Sequence, residues 1–249
     1  MKSKQNGAPS PHPRQLFLEW YHSTTLGQVL QKNEASYLQN AIKLTYYQNI
    51  LQVGQLGSEP RFIGEEFRHN FALIVGHSDC DAALTRRVCS NMDELPIANE
   101  SVDIVILPHI LEFEHNPHQV LREADRILKA EGRLFVLGFN PLSLHGIVSR
   151  LPRQHTFLQK NFISPYRLMD WLNLLKFEAE FSVGFGLATS QAIFKPDTLI
   201  SKSLAYLATA YAVSAVKRTY TVIPIKPAWR SASGLMPGHA VDTPVLRRH

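Results

Sequence analysis

Residues 95–141 read LPIANESVDIVILPHILEFEHNPHQVLREADRILKAEGRLFVLGFNP. Val102, Ile104, Val105, Ile106 and Leu107 form a nearly continuous β-branched run, the pattern of a strand buried on both faces. Pro108 ends it, because proline has no N–H for the ladder. Asn116 suits a helix N-cap, Pro117 the first helical position, and Gln119 stands where a capping-box partner belongs. Val120, Leu121, Ala124, Ile127 and Leu128 recur at helical spacing, with Arg122, Glu123, Asp125, Arg126 and Lys129 on the other side. Gly132 is expected to stop the helix in a left-handed conformation. Residues 133–138 (RLFVLG) then form a second strand. Two apolar strands joined through such a helix require a parallel pair with a right-handed crossover. Ligands of such sheets bind beyond the carboxyl ends of the strands.

On the amino-terminal side, residues 1–14 are polar and proline-rich and are predicted to be disordered. Two helices follow, over about 15–22 and 26–43, divided at a Ser-Thr-Thr-Leu-Gly turn signal. Leu26, Val29, Leu30, Ala35, Leu38, Ala41 and Ile42 give the second an apolar stripe. Strands are predicted at 49–53, running into Gly54-Gln55-Leu56-Gly57, at 71–75 and, shorter, at 87–89. Beyond Pro141 come a helix over 166–175, opened by Ser164-Pro165, and an alternating strand over 177–183. A helix near 197–207 and a strand near 211–217 complete the pattern. Four prolines after Ile223 exclude regular structure at the end. These elements make a doubly wound α/β sheet whose late pair lies at one edge, one of the two antiparallel.

A chain of 249 residues with 45% apolar and 19% charged residues can bury one ample core and is not of disordered composition. Residues 1–141 carry 13 Lys/Arg against 16 Asp/Glu, and residues 142–249 carry 13 against 5. A basic carboxyl half is mostly solvated surface, yet it could meet an anionic partner. Nucleic acid stays possible, although no nucleic-acid motif supports it. Cys80 and Cys89 have no metal-ligand spacing and suggest no disulfide framework, so a reducing compartment is expected and no metal site is assigned. The first residues lack the apolar core of a signal peptide, and residues 204–216 are too short and mixed to span a bilayer. A soluble, cytoplasmic protein without a membrane span is the expectation.

The segment LPIANESVD, Leu111-Glu112-Phe113 after the strand, and the helix from Arg122 to Gly132 together resemble the class I S-adenosylmethionine-dependent methyltransferases. The resemblance is to their small methyltransferase-domain group, and it spans about residues 50–138. LPHILEF with GFNPLSLHG and LMDWLNLLKFE is similar to a proteobacterial subgroup. The resemblance implies a Rossmann-like sheet of seven strands in the order 3-2-1-4-5-7-6, with helices before it. It divides the chain into a disordered 1–14, a methyltransferase-like domain over 15–222 and an irregular basic tail over 223–249. Within the domain, 15–48 would be a helical cap and 49–140 the cofactor-binding core.

The resemblance also implies S-adenosyl-L-methionine as cofactor. Gly54, Gln55 and Gly57 stand at the glycine turn, where a backbone without side chains lets the ligand approach. The family pattern there is acidic-x-Gly-x-Gly-x-Gly; here Gln52 replaces the acidic residue and two glycines remain. His77, with Asp79 nearby, stands where the ribose would be held. Asn91 and Met92 stand at the adenine position, Asn91 offering an acceptor and Met92 a packing face. Pro108 and His109 lie where sulfonium and acceptor would meet, and His109 is also the candidate general base, ahead of His145. Asn140-Pro141 reads as a turn, and no catalytic residue is assigned. The implied function is methyl transfer to an unidentified acceptor, favoured to be a small molecule. The alternative is a catalytically degenerate binding or sensing module of the same fold. A nicotinamide dehydrogenase, which also uses a glycine turn, is disfavoured by the missing GxGxxG.

Overall fold

A computed structural model of the chain describes residues 13–42, 48–57, 59–61, 71–76, 87–143, 161–186, 193–194 and 207–219. Two helices come first, α1 (Pro13–Ser23) and α2 (Thr25–Ala41). Thr24 caps α2, its hydroxyl accepting from Gly27 N at 3.0 Å. The strands β1 (Ile50–Val53), β2 (Phe71–Val75), β3 (Arg87–Cys89) and β4 (Val102–Pro108) follow, with a 3₁₀ turn at Glu59–Arg61. Then come α3 (Pro117–Ile127), β5 (Leu128–Phe139), α4 (Pro165–Leu174), β6 (Phe177–Phe185), β7 (Ile193–Phe194) and β8 (Ala210–Lys217).

These strands form one sheet in the order β3-β2-β1-β4-β5-β8-β6-β7. The first five are mutually parallel, and β8 is antiparallel to both β5 and β6. Without β7 this is the expected order 3-2-1-4-5-7-6. The additional β7 is a two-residue edge strand paired with β6, too short to leave a period in the sequence. The helix expected near 197–207 falls almost wholly outside the described residues, as do most of the tail and the amino-terminal segment.

Alternation along the strands builds two cores. Leu51, Val53, Val105, Leu107, Leu134 and Val136 meet α3 and α4 through Val120, Leu121, Ile127, Leu168 and Leu172. Ile50, Ile104, Ile106, Phe135, Leu137 and Phe139 meet α1 and α2 through Phe17, Tyr21, Leu30 and Leu38. Each fully buried side chain of this size stabilises the fold by roughly 1.5–3 kcal/mol relative to exposure. The charged side of α3 also has a structural task. Glu123 accepts from Leu95 N at 2.9 Å, and Arg126 donates to the carbonyls of Leu95 and Ile97, each at 2.8 Å. The LPIAN segment is thereby fastened to the helix, and the Arg126 guanidinium holds the Glu123 carboxyl below its ordinary range.

Two expectations change. Gly132 is not the helix stop: α3 ends where Leu128 turns extended and enters β5 directly. The left-handed residue is Glu131, at φ 62°. Gly132 is required for close approach instead, since a Cβ there would lie 2.8 Å from the Lys129 carbonyl and 3.2 Å from that of Asp103. In addition, Cys89 is disulfide-bonded, which removes the basis for inferring a reducing compartment. Two cysteines without a motif leave their pairing to the fold.

Candidate functional site

The carboxyl ends of β1 and β4 lie side by side in the parallel sheet, with Gln52 paired to Ile106. After β1 the chain turns through Gly54 and Gly57, at φ 93° and 79°, a region that favours glycine. Gly54 N continues the ladder to Ile74 O at 3.0 Å. The turn is braced from inside: Glu59 Oε1 accepts from Leu56 N at 2.7 Å, Gly57 N at 3.0 Å and Gln52 Nε2 at 2.9 Å. From outside, α1 lies over it. Arg14 donates to Gln55 O at 3.0 Å, and a Cβ on Gly54 would come within 2.8 Å of its guanidinium. A Cβ on Gly57 would come within 3.0 Å of His22.

After β4, His109 adopts φ 48°, an uncommon conformation for a residue with a Cβ. Its amide donates to Leu137 O at 3.0 Å, so the strand pairing carries on through the bend. The ring is fully buried, against Phe139 and Phe17 with centroids 4.5 and 5.2 Å away. Nε2 lies 2.7 Å from Glu34 Oε1 of α2, and Nδ1 lies 3.7 Å from Glu112 Oε1. The first is a hydrogen bond; the second is an ion pair without one. Tyr21 of α1 donates to Glu34 Oε2 at 2.8 Å, and Phe139 N donates to Glu112 Oε1 at 2.7 Å. Burial pushes the imidazole toward neutrality, but Glu34 and Glu112 outweigh it and raise its pKa to about 9. At neutral pH His109 is therefore an imidazolium, a fixed charge rather than a base.

The structure brings Gly54, Gln55, Gly57, Pro108 and His109 to one edge of the sheet. Met92 is buried among Val53 and Ile74, while Asn91 beside it is exposed. His77, Asp79 and His145 lie outside the described residues. Arg14, Tyr21, Glu34 and Glu59 were not singled out from sequence. Glu34 did carry a signal, since it lies four residues from both Leu30 and Leu38 on the buried stripe of α2. Among the described residues no group of three metal-ligating side chains gathers, and no helix is long and apolar enough to cross a membrane.

Comparison with known proteins agrees with this geometry. Residues 62–136 match the family model described as a methyltransferase domain. The chain is 42% identical over 86 residues to the protein YafS of Escherichia coli (strain K12), covering 34% of this chain and 36% of that protein. It spans 36% to 51% of the length of the curated relatives it matches. A SAM-dependent methyltransferase from Thermotoga maritima superimposes with a TM-score of 0.58 at 20% identity, over 82% of this chain and 99% of that one. The plantazolicin methyltransferase BpumL, solved with SAH, superimposes with a TM-score of 0.55 at 13% identity, over 84% of this chain and 92% of that one. The family match and the strand order converge: residues 62–136 are similar to a methyltransferase domain, and the described strands have the Rossmann-like fold of the methyltransferases it superimposes on.

Proposed function

We propose that the chain transfers a methyl group from S-adenosylmethionine to a small-molecule acceptor. The observation that carries this reading is the glycine turn at β1 set beside the buried His109–Glu34 pair at the end of β4. The residues fit such a cofactor in charge and in backbone. A sulfonium is compatible with the carboxyl groups of Glu34, Glu112 and Glu59, and the two glycines have no side chains of their own, although Arg14 and His22 lie over them. The space over Gly54 is filled by the end of the buried Arg14 side chain, which would have to leave its bond to Gln55 O for a ligand to approach. Gly54, Gln55 and Gly57 would hold the methionine end, with Asn91, Met92 and His77 toward the nucleoside and Pro108 and His109 beside the reacting centre.

The cofactor supplies an activated methyl group on a sulfonium. The protein's part is alignment and exclusion of water. Phe17, Phe139 and Tyr21 enclose the end of β4, and Glu34 fixes the His109 ring against them. As an imidazolium His109 is protonated at both ring nitrogens, so an acceptor that must lose a proton would need another base. A second reading, binding without transfer, draws support from Arg14 lying over the turn and from Gln52 in place of a carboxylate. A cytoplasmic setting belongs to the proposal as well, and cell fractionation tests it.

Isothermal titration with S-adenosylmethionine and S-adenosylhomocysteine tests the reading, with saturable binding of both expected. Heat signals indistinguishable from dilution at millimolar ligand would sink it. Binding without methyl transfer across a panel of amine, hydroxyl and carbon acceptors would favour the second reading.

A further inference from the structure

Glycine turns after a first parallel strand commonly bind nucleotides by offering backbone N–H groups to phosphate oxygens. In this chain two such donors are already engaged. Leu56 N and Gly57 N both donate to one oxygen of Glu59, at 2.7 and 3.0 Å, and Gln52 Nε2 donates to the same oxygen at 2.9 Å. Gln52 in turn donates to Gly54 O at 2.9 Å, which ties the carboxylate to the strand end as well. A carboxylate with three donors at one oxygen is held firmly and is costly to displace. Its charge replaces the one that position 52 does not supply.

We propose that Glu59 sets which ligand charge the glycine turn accepts. By occupying the turn's donors with a fixed negative charge, it favours an adenosine ligand with a cationic tail and rejects one with a phosphate tail. This rests on the cofactor reading above, and it assigns Glu59 as a positioning and specificity residue rather than a catalytic one. Repulsion between a phosphate and a carboxylate a few ångströms apart disfavours the phosphate tail. Loss of the turn's N–H donors adds to it.

The test compares two ligands that share adenosine and differ in the tail, S-adenosylmethionine, whose sulfonium makes the tail cationic, and ADP-ribose. Both are titrated calorimetrically into the wild-type chain, Glu59→Ala and Glu59→Gln. Glu59→Ala frees the donors and removes the charge. Glu59→Gln keeps an acceptor for Leu56 and Gly57 and removes only the charge, so it decides the matter if the alanine variant does not fold. Folding is checked by circular dichroism. We expect ADP-ribose affinity to rise at least about fivefold in a folded variant, with S-adenosylmethionine binding weakened. A smaller rise in the folded variants overturns the proposal. A purely structural brace would weaken both ligands together and would not exchange their preference. Failure of the wild-type chain to bind S-adenosylmethionine would instead sink the cofactor reading, while the ADP-ribose comparison would still decide the role of Glu59.

Discussion

His109 holds a positive charge where no water reaches it, and that makes it sensitive to pH. Burial alone would keep the ring neutral, yet Glu34 and Glu112 raise its pKa from 6.5 in the unfolded chain to about 9. Between those values the folded protein binds a proton that the unfolded chain has lost, so stability declines as pH rises. The contribution is complete below 6.5 and is lost as pH passes through about 9; it is on the order of 3 kcal/mol. The other titratable groups around it are Tyr21 of α1, bonded to Glu34, and Tyr211 of β8, near Glu112. Burial holds the Tyr211 hydroxyl well above its ordinary range, so it stays neutral across this window. Urea midpoints measured from pH 6 to 10 should fall steadily in the wild type and much less in His109→Asn. An equal slope in both would assign the pH dependence to another group.

The same cluster governs how elements join. Glu34 of α2 bonds to His109 beyond β4 and to Tyr21 of α1, so one carboxylate links both cap helices to the sheet. Glu34→Ala would leave the imidazolium with only Glu112 at 3.7 Å and the Tyr21 hydroxyl without its acceptor. The expected cost is about 3–5 kcal/mol. Limited proteolysis should cut first within 13–41, and cleavage elsewhere first would contradict this view of the cap. Between β4 and β5 the critical residue is Gly132, where the backbones approach too closely for a Cβ. Gly132→Ala should destabilise by roughly 1–3 kcal/mol through the forced shift of that bend. A thermal midpoint unchanged from wild type would show that the bend relaxes freely.

At the scale of the whole molecule, the sheet was largely legible from sequence and the site only in part. The strands around 95–141 were readable because burial on both faces and helical spacing are local patterns. The first three strands were recoverable for the same reason. Gly132 was misread because a glycine after a helix is usually a left-handed stop, and only the facing Asp103 carbonyl reveals its actual role. Gly54, Gly57 and His109 could be singled out, but the groups that give them their properties could not. His109 and Glu34 are 75 residues apart and Arg14 and Gln55 are 41 apart, so no spacing rule connects them. Even Glu59, seven residues from Gln52, reads as a surface carboxylate until the turn folds over it. By itself the sequence determined the strand and helix pattern and the glycine turn. The tertiary structure decided which charges are buried together, and hence that His109 is a held cation and Glu59 a fixed anion. Periodicity and capping act over a few residues, whereas desolvation and ion pairing exist only once distant segments have excluded water from one another.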